Sequence, residues 1–178
     1  MARILKSLSP LWALALTLAA PCVVADTYPD TAVKAAFVLR FAGYVEWPPH
    51  AAPQRELVIA VYGNDDMVES LQRVAADRLL QGRTVQVRKA TSLGDARGAQ
   101  ILYVDGRHQR RLRTARETLA DSGVLIVTDG PQGLASGSVI SFLLADNRVR
   151  FEVALDAARK AGLRISPELL SLAVRVTE

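Results

Sequence analysis

The chain carries one cysteine and two histidines in 178 residues, and these shortages exclude several kinds of chemistry at once. A lone Cys22 forms no internal disulfide and supplies no cysteine-rich zinc site, and His50 and His108 stand too far apart for a clustered pair of metal ligands. No Gly-x-Gly-x-x-Gly follows the first apolar strand, which removes the main support for dinucleotide binding. No Gly-x-Ser-x-Gly elbow is present and Ser136-Gly137-Ser138 reads as loop, so a nucleophile–base triad has no evident members. Repeats, linkers and low-complexity tracts are missing too. What is there is a half-hydrophobic sequence, 50% of residues, with 22% charged, the composition of one packed domain.

The first 25 residues read as an address. Arg3 and Lys6 precede an apolar stretch from Leu8 to Ala20, then come Pro21, Val23-Val24-Ala25 and Asp26. That is the pattern of a secretory signal peptide over residues 1–25, cut after Ala25. The apolar run falls short of the roughly 20 residues a membrane span needs. Lipidation at Cys22 is disfavoured by Pro21 before it. Cleavage removes Cys22, Arg3 and Lys6, so the mature single domain, residues 26–178, is expected in the periplasm without a thiol, its net charge two units below the +4 of the full chain.

Downstream, Thr31 to Trp47 reads as a helix, capped by Asp30 or Thr31 and stopped by Pro48-Pro49. Lys34, Arg40 and Glu46 point about 120° apart, so its apolar residues surround the axis, as in a core helix or one covered by another molecule. Leu57 to Tyr62, Ile101 to Val104 and Val124 to Thr128 are continuous apolar runs, the mark of buried strands, and Thr84 to Arg88 alternates. Between them lie helices predicted over Asp65 to Leu80, ended by Gly82, and over His108 to Ala120. This alternation predicts an α/β fold: a three-layer, Rossmann-like sandwich with a mainly parallel sheet flanked by helices. The last third adds an antiparallel hairpin, Val139 to Leu144 and Val149 to Val153 around Asp146-Asn147. Two short helices follow, Leu155 to Ala161 and Pro167 to Val174, the latter with Ser166 as cap.

Three constellations bear on function. Asn64, Asp65 and Asp129 lie at strand carboxyl ends, where open α/β sheets bind ligands, and the same residue types also cap helices and shape turns. Arg107, His108, Arg110, Arg111, Arg113 and Arg116 form the densest charge cluster, with Leu112, Ala115 and Leu119 spaced to dock on a sheet. Export removes nucleic acid as a partner and leaves a solvated face, an anionic membrane surface or an acidic protein. Phe37, Phe41, Tyr44 and Trp47 would serve as apolar anchors for a partner wherever the first helix is exposed, and Arg148, Arg150 and Glu152 alternate on one face of the last long strand. No metal or cofactor is called for.

The stretch Tyr44-Val45-Glu46-Trp47-Pro48, and above all Ile140-Ser141-Phe142, Asn147-Arg148-Val149-Arg150-Phe151-Glu152-Val153, Ala157-Ala158, Ala161-Gly162-Leu163-Arg164-Ile165-Ser166, Leu169-Leu170 and Leu172-Ala173, resembles the YfiR family of periplasmic proteins over nearly the whole mature chain. The resemblance implies a binding regulator and not an enzyme. Its expected partner is the periplasmic sensor domain of an inner-membrane diguanylate cyclase, which it holds inactive to keep cyclic di-GMP low, with an outer-membrane lipoprotein able to sequester it. The family's best-known member has disulfides that affect folding and redox sensing, and a mature chain without cysteine cannot share that control. Several hydrophobic faces leave homodimerisation open, as the strand-end cleft leaves open the alternative of an envelope small-ligand binding protein.

Overall fold

The computed structural model describes residues 30–115, 117 and 119–178, so the signal segment, its cleavage point and Arg116 lie outside the described residues. Helix α1 spans Asp30–Phe41 and is followed by a two-residue strand, β1, Val45–Glu46. The helix expected to run to Trp47 therefore stops six residues earlier. Turn bonds from the Gly43 and Tyr44 amides to the Arg40 and Phe41 carbonyls end it, and Val45 pairs instead with Ile165 in strand β8, Arg164–Ile165. Tertiary pairing overrides the local helical pattern.

Strand β2, Glu56–Tyr62, leads into α2, Asp65–Ala75. The cap of α2 is Asn64, whose Oδ1 accepts the Met67 amide at 2.9 Å, and Asp65 is the first helical residue. The expected continuation to Leu80 is also corrected: the backbone turns left-handed at Asp77, φ 57°, then again at Gln81 and Gly82, and Leu80 and Arg83 bridge across that turn. Strands β3, Thr84–Ala90, β4, Ile101–Val104, and β5, Leu125–Asp129, form where expected, although β3 runs two residues further and β5 starts and ends one residue later. Between β4 and β5 a 3-10 turn, Gly106–His108, opens helix α3, Gln109–Ala115, five residues shorter at its C-terminal end than expected. Strands β6, Ile140–Ala145, and β7, Arg148–Ala154, make the hairpin, with Asp146 and Asn147 both at positive φ as a tight primed turn requires. Helices α4, Leu155–Lys160, and α5, Pro167–Leu172, and a final strand β9, Arg175–Thr177, complete the chain.

The seven-stranded sheet has the order β3-β2-β4-β5-β6-β7-β9. All neighbours are parallel except β6 and β7. β1 and β8 form a separate antiparallel pair. Strand side chains alternate between faces. On one face Ile59, Val61, Tyr103, Val127, Phe142 and Phe151 meet α1 and α2; on the other Ala60, Leu102, Val104 and Ile126 meet α3 and a 3-10 segment, Leu93–Ala96. The α/β sandwich read from the sequence is therefore present, hairpin included. No helix among the described residues is long and apolar enough to cross a membrane.

Candidate functional site

β2 has β3 on one side and β4 on the other, so chain connections leave in opposite directions from the carboxyl ends of β2 and β4. Such a reversal opens a crevice in doubly wound sheets. Here it is built from Gly63-Asn64 after β2, Asp105-Gly106-Arg107 after β4, and Asp129 at the end of β5. Asn64 Nδ2 donates to Asp105 Oδ2 at 3.0 Å while its Oδ1 caps α2. Asp105 Oδ1 accepts from the Arg107 amide at 2.9 Å and from Arg107 Nε at 2.8 Å. Burial pushes the Asp105 carboxyl up, but the bonds from Arg107 and Asn64 outweigh it and hold its pKa below the ordinary carboxylate value. The same pairing raises the Arg107 guanidinium above its ordinary value.

Asp129 accepts from the Gly106 amide at 2.6 Å through Oδ1 and from Lys34 Nζ at 3.0 Å through Oδ2, tying α1 to the sheet. That tie joins residues 95 positions apart. Gly106 sits so close that a Cβ there would collide with the Asp129 backbone, and one on Gly63, itself at φ 83°, would enter the His108 imidazole. The Tyr103 hydroxyl is buried near both carboxylates without a hydrogen-bond partner. Burial first, then the charges of Asp129 and Asp105, push its pKa above that of a free phenol. Beside the network lies an open cleft of about 720 Å³ whose walls include Lys34, Arg107, Gln109, Gln132, Phe142 and Leu144.

The three residues read from the sequence as ligand-binding are thus separated. Asn64 and Asp129 belong to the network, each with its side chain engaged. Asp65 is exposed and pairs with Lys89 of β3 at 2.7 Å. Asp105, Lys34, Arg107 and Tyr103 were not read as members. Asp105 had the same signal as the others, an acid just after a buried apolar run, whereas Lys34 reaches the site only through the packing of α1. With both carboxylates engaged by a cation and a backbone amide, the crevice presents a charge-balanced floor.

The residues read as partner contacts divide as well. Phe41 is fully buried, and Phe37 is half-buried; with Phe142 and Phe151 they form a cluster with ring centroids 5.0–6.1 Å apart. Phe41 is therefore a core residue and not a surface anchor, because the last strands supply the rings that cover it. Tyr44 and Trp47 are half-buried, and Trp47 Nε1 donates to the Gln100 carbonyl at 3.2 Å. Gln100 precedes β4, which places Trp47 at the amino end of the parallel strands. Arg148 and Arg150 are exposed near the hairpin, at the opposite end, while Glu152 is buried and paired with Arg175 of β9. The exposed large apolar residues are Leu79, Leu144, Leu172, Val174 and Val176.

In the basic cluster, Leu112 is fully buried and Leu119 nearly so, as their spacing predicts, and Arg107, Arg110, Arg111 and Arg113 are exposed. Arg111 donates to the Tyr62 hydroxyl, and the His108 ring lies 4.9 Å from that of Tyr62.

Fold and site together define a doubly wound α/β domain with a charge-balanced crevice at its strand-order reversal. The chain belongs to the YfiR/HmsC-like family, whose model matches residues 31–174. Among solved structures it is similar to a conserved domain protein from Vibrio cholerae O1 biovar El Tor strain N16961. The two are 11% identical with a TM-score of 0.57, over 83% of this chain and 60% of that one, a likeness of fold.

Proposed function

We propose that this protein is a periplasmic regulator that acts by binding, repressing an inner-membrane diguanylate cyclase through the cyclase's periplasmic sensor domain and so lowering cyclic di-GMP. The observation that carries the reading is the family match over residues 31–174. A crevice whose carboxylates are tied to Lys34, Arg107 and backbone amides agrees with a binding role and not a catalytic one. Repression requires the protein to prefer the inactive sensor, since equal affinity for both sensor states shifts nothing. The contact surface we assign is the β6–β7 hairpin, where Arg148 and Arg150 stay exposed and Leu144 offers an apolar side chain at 58% exposure. Sequestration by an outer-membrane lipoprotein would release the cyclase. Deleting the gene should raise cyclic di-GMP and biofilm formation in cells that retain the cyclase, with no rise once the cyclase is also removed; unchanged levels in the single deletion would overturn the reading.

A second reading, an envelope small-ligand binding protein, draws support from the cleft of about 720 Å³ beside Asp105 and Asp129. Thermal-shift measurement with amino acids and nucleotides tests it, and a melting temperature unmoved by all of them would rule against it.

A further inference from the structure

We propose that the outward face of α3 docks on an anionic membrane surface, with phospholipid phosphates as the groups it recognises. Leu112 fixes the orientation of the helix. It is fully buried, and at 100° per residue Arg110 points nearly opposite to it while Arg111 and Arg113 lie on the two flanks. Arg107, on the preceding turn, and Arg97, just after the 3-10 segment that covers the same side of the sheet, are exposed too. Ala96 and Leu112 share one core cluster, so Arg97, Arg110, Arg111 and Arg113 belong to one side of the molecule, with Arg107 at the rim of the strand-end cleft.

Their pairing is uneven. Arg107 is matched by Asp105 at 2.8 Å, and among the described residues no carboxylate lies within ion-pair distance of Arg97, Arg110, Arg111 or Arg113. The acids nearby do not relieve them. Asp95 turns into its own loop, accepting from the Thr91 and Ser92 amides and both hydroxyls, and Glu117 is exposed and forms no ion pair with another of the described residues. Arg110 and Arg113, three residues apart on a seven-residue helix, repel each other. Such a cluster is relieved by anions from outside the chain.

Chemistry and shape then choose the anion. A guanidinium meets phosphate oxygens through two parallel N–H bonds, which favours phosphate. The surface is the convex back of a helix, with Tyr62 buried and the His108 ring tilted against it instead of presented outward, so it offers neither a groove for an extended chain nor a platform for bases. A plane of phospholipid headgroups needs only the charge. Docked this way, the α1–α2 side faces away from the bilayer.

The test is co-sedimentation of the protein, as exported, with vesicles of phosphatidylglycerol and phosphatidylcholine in equal parts, against phosphatidylcholine alone. Wild type is expected to bind the anionic vesicles only and to lose binding at high salt. Removing each arginine should weaken binding about 5-fold, so the R110Q/R113Q pair should lose about 25-fold, and R110E/R113E more. R73E, on exposed α2 across the sheet, should bind as wild type does. Variants are compared at equal melting temperature, and the Gln pair stands in if the Glu pair does not fold. Equal binding to both vesicle types, no binding at low salt, or wild-type binding by R110Q/R113Q would each overturn the proposal. The readout involves no cyclase, so it stands or falls apart from the regulatory function.

Discussion

The two faces of the sheet are covered by unlike means. One carries two full helices, α1 and α2, and four packed phenylalanine rings. The other meets a seven-residue helix and a 3-10 segment across alanines, with Ala60, Ala90, Ala96 and Ala99 letting the thin cover come close. Large rings bury more area per residue and hold a thick layer in one orientation. Small residues leave a shallow layer whose outer side is free to be charged, and that side is where the arginines lie. The ring cluster and the arginines of α3 thus lie on opposite sides of the same sheet.

The comparison is most directly broken by Phe41→Ala. With Phe41 fully buried among three other rings, a loss of about 3–5 kcal/mol is expected, read from the midpoint of denaturant unfolding. On the thin side, Leu112→Ala should cost about 2–3 kcal/mol, because a short helix can settle into part of the space. A loss at Leu112 equal to that at Phe41 would reverse the assignment of the two faces. Next comes the tie between α1 and the sheet. Asp129→Asn should cost about 1–3 kcal/mol, and a double-mutant cycle with Lys34→Met should show coupling, since both act through one contact.

Asp105 gives a pH signature on the same end of the sheet. Its carboxyl titrates below the ordinary value of about 3.9, so its stabilising bonds are complete above that range and fade as the pH falls through the lowered pKa. The stability gap between wild type and Asp105→Asn should therefore narrow as pH drops below about 4 in acid titrations followed by circular dichroism. Smallest of all, Arg110→Ala should change stability by no more than about 0.5 kcal/mol, the residue being exposed and making no ion pair among the described residues.

Which parts of this were legible in the sequence follows from where the information resides. Buried strands such as Ile101–Val104 announce themselves as apolar runs, and Asp146-Asn147 announces a primed turn, because the cause of each is local. The end of α1 is not legible locally, because Val45 pairs with Ile165, a partner no local pattern reveals. The same distance hid the fate of Phe41, whose neighbours Phe142 and Phe151 arrive through the fold. In the crevice, acids after strands were readable by rule, and Asp129 was found that way. Lys34 was not, since its role depends on how α1 crosses the sheet.

That crossing has a consequence for how the chain comes together in time. α1 is the earliest described element to be synthesised and packs against the nearby α2, yet Asp129, Phe142 and Phe151, which also hold it, arrive only with β5, β6 and β7, and the β1–β8 pair that follows it closes only when Ile165 is available. β2, β4 and β5 can associate, and α1 can meet α2, while the β6–β7 part of its seat is still missing. The phenylalanine cluster on α1 must wait until most of the chain has emerged, a long-range closure of the kind that slows folding and lengthens the interval in which a nascent chain needs holding apart from its neighbours.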